Sequence, residues 1–265
     1  MTLQTEPPVL DIPLPAPPSF RLDGKRALVT GAGRGIGLAG AAAMAKAGAH
    51  VTLVARSSAE LESLARAIKR DGGQAEAAPF DVTDIGRVER VLSSLEPFDI
   101  LVNSAGTNHP APFLDVTAEQ YDAIMGLNVR SLFFVSQAVA RRMREAGRPG
   151  SIINISSQMG HVGAAIRTVY CSSKWAIEGM TKAMAVDLAP YGIRVNTIGP
   201  TFIETPLSTR FLNDEAFKSQ VLTKIKLGRI GRVEDITGAI VFLASEASSL
   251  MTGSAVVIDG GWTAD

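Results

Sequence analysis

The sequence has one cysteine, Cys171, and three histidines, His50, His109 and His161, among 265 residues. A single thiol cannot form an intramolecular disulfide, and no Cys or His cluster has the spacing of a metal site, so we assign no metal. An excess of charge of either sign is also missing: Lys plus Arg and Asp plus Glu balance at 26 each. There is therefore no broad basic field for nucleic acid or an anionic membrane. A small molecule is the expected partner. The first residues lack the basic and apolar regions of a secretory signal, and no uninterrupted apolar run of membrane-spanning length is evident. These absences predict a soluble, cytoplasmic protein.

Proline is concentrated at one end. Residues 1–20, MTLQTEPPVLDIPLPAPPSF, hold Pro7, Pro8, Pro13, Pro15, Pro17 and Pro18, which exclude a helix or central strand and predict an extended, mobile leader. Val9, Leu10, Ile12, Leu14 and Phe20 would let it lie instead on a neighbouring subunit. Residues 21–265 read as one domain, since an apolar content of 46% supplies a full core.

Beyond residue 25, short aliphatic runs alternate with longer Ala-rich amphipathic stretches. Strands are expected at 26–30, 50–54, 75–80, 99–103, 151–155, 193–198 and 255–258. Helices are expected at 35–47, 58–71, 84–95, 118–144, 169–189, 206–219 and 233–245. This alternation implies an α/β fold, a doubly wound, seven-stranded parallel sheet of the Rossmann type with helices on both faces. Ligands of such sheets bind beyond the carboxyl ends of the strands.

The first strand runs into TGAGRGIG, residues 30–37. Ile36 stands where the third glycine of G-x-G-x-x-G would fall, so the pattern present is G-x-x-x-G-x-G, from Gly31, Gly35 and Gly37. Glycines at a strand-to-helix turn allow backbone to approach a pyrophosphate, which the helix N–H groups can then face. The second strand ends in Ala55-Arg56-Ser57, without the carboxylate that would take ribose hydroxyls. Arg56 and Arg34 offer guanidinium groups suited to a 2′-phosphate. NADP(H) is thus the preferred cofactor, with NAD(H) possible in its place. Asp81, beside Val82 after the third strand, could accept from an adenine amino group or cap the next helix.

Tyr170 and Lys174, four apart in TVYCSSKW, share a helix face. An unperturbed phenol has a pKa of about 10, and lowering it by about three units takes roughly 4 kcal/mol, part of which a nearby ammonium can supply. Such a phenol can exchange a proton with an alcohol oxygen while its carbon exchanges hydride. Ser157, at the end of the fifth strand, could hold that oxygen. Cys171 reads as a packing residue.

TGAGRGIG, VNSAG (102–106), Asn128 in LNVRSLFF, NISS (154–157) and Tyr170-x-x-x-Lys174 occur in this order. Together they resemble the short-chain dehydrogenase/reductase family from about residue 22 to the end. The resemblance implies a tetrad in which Tyr170 is acid/base, Lys174 lowers its pKa and holds the nicotinamide ribose, Ser157 orients the substrate oxygen, and Asn128 anchors a proton-conducting water. It also implies that Asn103, Ala105 and Gly106 lie along the adenosine side, and that Pro200, Ile203 and Thr205 touch the nicotinamide end. Ser104 replaces the family's second Asn, and Thr201 its usual Gly. A lid is implied near 202–228, and a homotetramer or dimer through the C-terminal edge.

The pocket wall is expected from 107–112, 158–168 and 202–228. Asn108, Gln158 and His161 are the candidate substrate contacts, and with His109 and Arg167 they suggest a polar, sugar-derived ketone or secondary alcohol. The alternatives are a 3-oxoacyl thioester reductase, with Arg130, Arg141, Arg142 and Arg144 as carrier contacts, and a non-catalytic nicotinamide-binding sensor or scaffold.

Overall fold

A computed structural model describes residues 14–264. The strands are β1 (Arg26–Thr30), β2 (His50–Val54), β3 (Gln74–Ala77), β4 (Ile100–Asn103), β5 (Gly150–Ile155), β6 (Ile193–Pro200) and β7 (Ala255–Ile258). They form a parallel sheet in the order β3-β2-β1-β4-β5-β6-β7. The winding direction reverses between β1 and β4, and the ends of these two strands open a crevice there.

The helices are α1 (Gly35–Lys46), α2 (Ser58–Arg70), α3 (Ile85–Ser94), α4 (Ala118–Met125), α5 (Ser131–Glu145), α6 (Thr168–Leu188), α7 (Pro206–Leu212), α8 (Glu215–Lys224) and α9 (Glu234–Ala244). Alternation along the strands divides the core in two. Ala27 and Val29 of β1 pack with Met44 of α1 and Ile236, Ile240 and Leu243 of α9. Leu28, between them, faces the other way, toward Val88, Leu92, Val135, Val139 and Met143 of α3 and α5.

Three expected elements differ in detail. The β3 strand ends at Ala77 rather than continuing to 80, although the amides of Ala78 and Phe80 still donate to the carbonyls of Leu53 and Ala55. The expected helix 206–219 is two helices: Asp214 accepts from the amides of Ala216 and Phe217 and starts α8 afresh. The expected helix 118–144 is interrupted by a π turn, Gly126–Arg130, which joins α4 to α5.

Taken together, 118–145 is also long and apolar enough to cross a membrane by length and composition, contrary to the sequence expectation. Its apolar residues are used otherwise: Leu132, Val135, Val139 and Met143 are buried within the domain. Residues 1–13 of the proline-rich leader lie outside the described residues. Residues 14–20 run without helix or strand, and the Phe20 ring lies 6.2 Å from that of Phe242.

Candidate active site

A cavity of about 820 Å³ lies beyond the carboxyl ends of the strands. It gathers most of the sequence-predicted residues: Gly31, Arg34, Gly35, Ile36, Arg56, Asp81, Val82, Ala105, Gly106, Asn108, Ser157, Gln158, Tyr170, Lys174, Pro200, Ile203 and Thr205. Gly37, Asn103, Asn128 and His161 are not in its wall.

The glycine loop owes its shape to its neighbours. Gly31 and Gly35 have φ of 67° and 56°, and a Cβ on Gly31 would come 2.7 Å from the Ala105 nitrogen. A Cβ on Gly37 would fall on the Gly31 carbonyl, so this glycine packs the turn rather than lining the cavity. The Thr30 hydroxyl accepts from the amides of Ser104 (3.2 Å) and Ala105 (3.3 Å), fixing the floor between β1 and β4. Asn103 lies beneath, donating to Ser136 Oγ (2.8 Å) and to Asn154 Oδ1 (2.9 Å) in a buried network.

Farther along, Arg34 and Arg56 share the wall with Glu60, an acid the sequence reading passed over. Asp81 does not cap α3, because Asp84 does. Asp81 Oδ1 accepts instead from the Thr83 amide (2.9 Å) and hydroxyl (2.8 Å).

At the other end, α6 carries Tyr170 and Lys174 against the end of β5. Lys174 Nζ donates to the Ile155 carbonyl at 2.9 Å and lies 5.5 Å from the centre of the Tyr170 ring. Burial pulls the Lys174 pKa down to about 8, while Glu178 acts in the opposite direction. Burial pushes the Tyr170 phenol up, while the Ser157 hydroxyl and the Arg167 guanidinium pull it down. Lys174, whose Nζ donates to the Ile155 carbonyl, does not offset that rise. Ser157 Oγ donates to Gln158 Oε1 (2.7 Å) and accepts from the Met159 amide (3.1 Å). Burial raises the Cys171 thiol as well, which suits the packing role expected of it.

Asn128 sits in the π turn, 1% exposed. Its Oδ1 accepts from the Thr107 amide (2.8 Å), and its Nδ2 donates to the Thr107 carbonyl (2.9 Å) and Ser173 Oγ (3.1 Å). These bonds pin the loop that follows β4. His161 faces away from the cavity, because the turn after Ser157 carries its Nε2 to 3.5 Å from Glu178 Oε1.

Sequence reasoning missed Glu178, which is 8% exposed and accepts from Thr197 Oγ1 at 2.9 Å. Its position, four residues after Lys174 on one helix face, was the available signal. Thr201, in place of the usual glycine, needs no left-handed backbone. Its amide donates to the Ile258 carbonyl (3.2 Å).

The wall fits a dinucleotide. One end has close-approach glycines and two guanidiniums, and the wall also presents buried, unpartnered polar atoms, Asn108 Oδ1, Ser156 Oγ and Thr201 Oγ1. Of the arginines considered for a carrier, Arg130, Arg141, Arg142 and Arg144, none lines this cavity. Arg141 and Arg144 instead border a separate dimple between α5 and α6.

Comparison with known proteins agrees with this geometry. Residues 31–263 match the family model described as enoyl-(acyl carrier protein) reductase. An L-xylulose reductase of Bos taurus is 43% identical over 245 residues, 92% of this chain and 99% of that protein. A gluconate 5-dehydrogenase of Gluconobacter oxydans (strain 621H) is 39% identical over 251 residues, 93% of this chain and 98% of that protein. A crystal structure of a gluconate 5-dehydrogenase from Burkholderia cenocepacia J2315, in complex with NADP and tartrate, superposes with a TM-score of 0.90. It is 38% identical and covers 93% of this chain and 98% of its own. The chain is an NAD(P)-dependent oxidoreductase acting on hydroxyl and carbonyl groups, and it belongs to the short-chain dehydrogenase/reductase family.

Proposed function

We propose that this protein reduces a polar, sugar-derived ketone with NADPH, and oxidises the corresponding secondary alcohol in reverse, at Tyr170. The observation that carries this reading is the placing of Tyr170, Lys174 and Ser157 in one cavity wall with the glycine loop and two arginines. The sugar-active relatives and the NADP in the Burkholderia structure support it.

When bound, the nicotinamide supplies or accepts the hydride. The chain's own residues hold and move the proton. Tyr170, whose phenol burial keeps protonated, donates to the carbonyl oxygen as its carbon is reduced, and its phenolate oxygen takes the proton from the alcohol in oxidation. Ser157 turns its hydroxyl from Gln158 to the substrate oxygen and stabilises the charge developing there. Lys174, still largely cationic at neutral pH with a pKa of about 8, stabilises the phenolate left behind. Asn128 acts as a positioning residue through Thr107.

Arg34 and Arg56 would hold the 2′-phosphate, outweighing the single carboxylate of Glu60. Gly31, Gly35 and Ile36 would bring backbone to the pyrophosphate, with Gly37 packing beneath. Asp81, Val82, Ala105 and Gly106 would border the adenosine half, with Asn103 supporting them. Pro200, Ile203 and Thr205 would border the nicotinamide half. Asn108 and Gln158 remain candidate substrate contacts. The segment 202–228, whose Phe202, Leu207 and Phe211 line the cavity, would serve as the lid. A cytoplasmic homotetramer or dimer accompanies this reading.

The test is the oxidation of NADPH and NADH by wild type and by Arg56→Ala, with keto-sugars as substrates. Wild type should prefer NADPH. The substitution should raise KM for NADPH roughly 10- to 100-fold, the size of a lost charge-assisted hydrogen bond, and leave KM for NADH nearly unchanged. Equal effects on both cofactors would remove Arg56 from the phosphate site.

A further inference from the structure

Three residues before Tyr170, Arg167 lines the cavity with only 5% of its surface exposed. A guanidinium this deep ordinarily meets a carboxylate or several carbonyls, because a desolvated cation without a partner is unfavourable. Neither arrangement is found among the described residues. Among these residues its Nη1 is buried without a hydrogen-bond partner, and the titratable groups acting on it are Tyr170 and Cys171, with no Asp or Glu among them. Its ring contact is with Phe211 of α7, whose centroid lies 5.3 Å from the guanidinium carbon.

The backbone leading to it is strained. Ile166 has φ of 53°, the one positive value at a non-glycine among the described residues. A β-branched side chain there is a conformational outlier. The Ile166 carbonyl accepts from the Ala111 amide at 3.1 Å, which ties this turn to the loop 107–112. The chain thus holds an unfavourable turn immediately before an unpaired, buried cation beside the proposed acid.

We propose that Arg167 binds the carboxylate of the substrate, so that the enzyme acts on keto- and hydroxy-sugar acids in preference to neutral sugars. This rests on the reading of Tyr170 as the proton donor: Arg167 precedes it by about one helical turn, so one short ligand can reach both. A carboxylate suits the site better than a phosphate. One guanidinium matches one negative charge, whereas Arg34 and Arg56 belong to the glycine-loop side, and Lys174 Nζ is held by the Ile155 carbonyl.

The test is calorimetric titration of gluconate, of its uncharged counterpart glucitol and of glucose 6-phosphate into protein saturated with NADP+. Gluconate should bind at least about tenfold more tightly than glucitol. Arg167→Gln should erase that preference, weakening gluconate by roughly 10- to 100-fold, and Arg167→Lys should restore part of it. Arg167→Gln should melt no lower than wild type, since the charge it removes is unpaired. Equal binding of gluconate and glucitol by wild type would overturn the proposal without recourse to any variant. So would a preference that survives Arg167→Gln, and tighter binding of glucose 6-phosphate would replace the carboxylate by a phosphate.

NADPH oxidation with a keto-gluconate and with fructose separates this proposal from the reaction itself. Arg167-dependent gluconate binding without turnover of either ketone would sustain the anion site and sink the proposed reaction. Turnover of fructose with no gluconate binding would do the reverse.

Discussion

Lys174 shows how burial sets the chemistry of a single residue. Its ammonium, donating to the Ile155 carbonyl inside the protein, has a pKa drawn down to about 8 by burial. In the unfolded chain it titrates near 10.4. Between these values the unfolded chain binds more protons than the folded one, so this group makes stability rise with pH across that window. Wild-type protein without cofactor is therefore expected to gain stability relative to Lys174→Met, on the order of 1–3 kcal/mol, as the pH rises from about 8 to 10.5. Chemical denaturation of both proteins across this range measures it. A difference that stays flat with pH would mean that the lysine is not desolvated as described.

The spacing of Tyr170 and Lys174 was legible in the sequence because a helix face is a local property. The depth of Arg167 and Glu178 was not, although both lie on the same helical period. Their burial depends on Phe211, Thr197 and the loop 107–112, which are distant in the chain.

The π turn plays a similar part among the elements. The apolar periodicity of 118–144 predicts a continuous helix; GLNVR contains no proline, and its Gly126 and Asn128, residue types that often cap helices, do not outweigh that periodicity. The turn places Asn128 in the interior, where it satisfies both backbone groups of Thr107. Asn128→Ala would leave that half-buried amide and carbonyl without this partner, at a cost of about 1–3 kcal/mol. A lower urea midpoint with an unchanged m-value is the expected result. An unchanged midpoint would show that the loop after β4 holds its path without this side chain.

Elsewhere the elements followed local signals. The buried parallel strands stand out as aliphatic runs, and Gly31 and Gly35 mark a turn whose positive φ values only glycine adopts freely. The break between α7 and α8 was present in Asp214, a capping residue whose weight against helical periodicity cannot be judged from sequence.

Across the whole molecule, sheet order converts scattered motifs into a site. Residues 31, 56, 81, 105, 157, 170 and 203 are distant in the chain and meet because the strand ends preceding them share one edge of a parallel sheet. The pairing order follows from long-range packing, which is why the sequence predicted the motifs and the fold class but not which side chains would be left unpaired in the cavity.

The central claim is that the phenol of Tyr170 carries the proton for hydride transfer. It is tested most directly by NADPH oxidation with a keto-sugar acid, comparing wild type with Tyr170→Phe, each shown beforehand to be folded and to bind NADPH. The expected result is a fall in kcat of roughly 10²- to 10⁴-fold with little change in NADPH affinity. Turnover by Tyr170→Phe at close to the wild-type rate would contradict it.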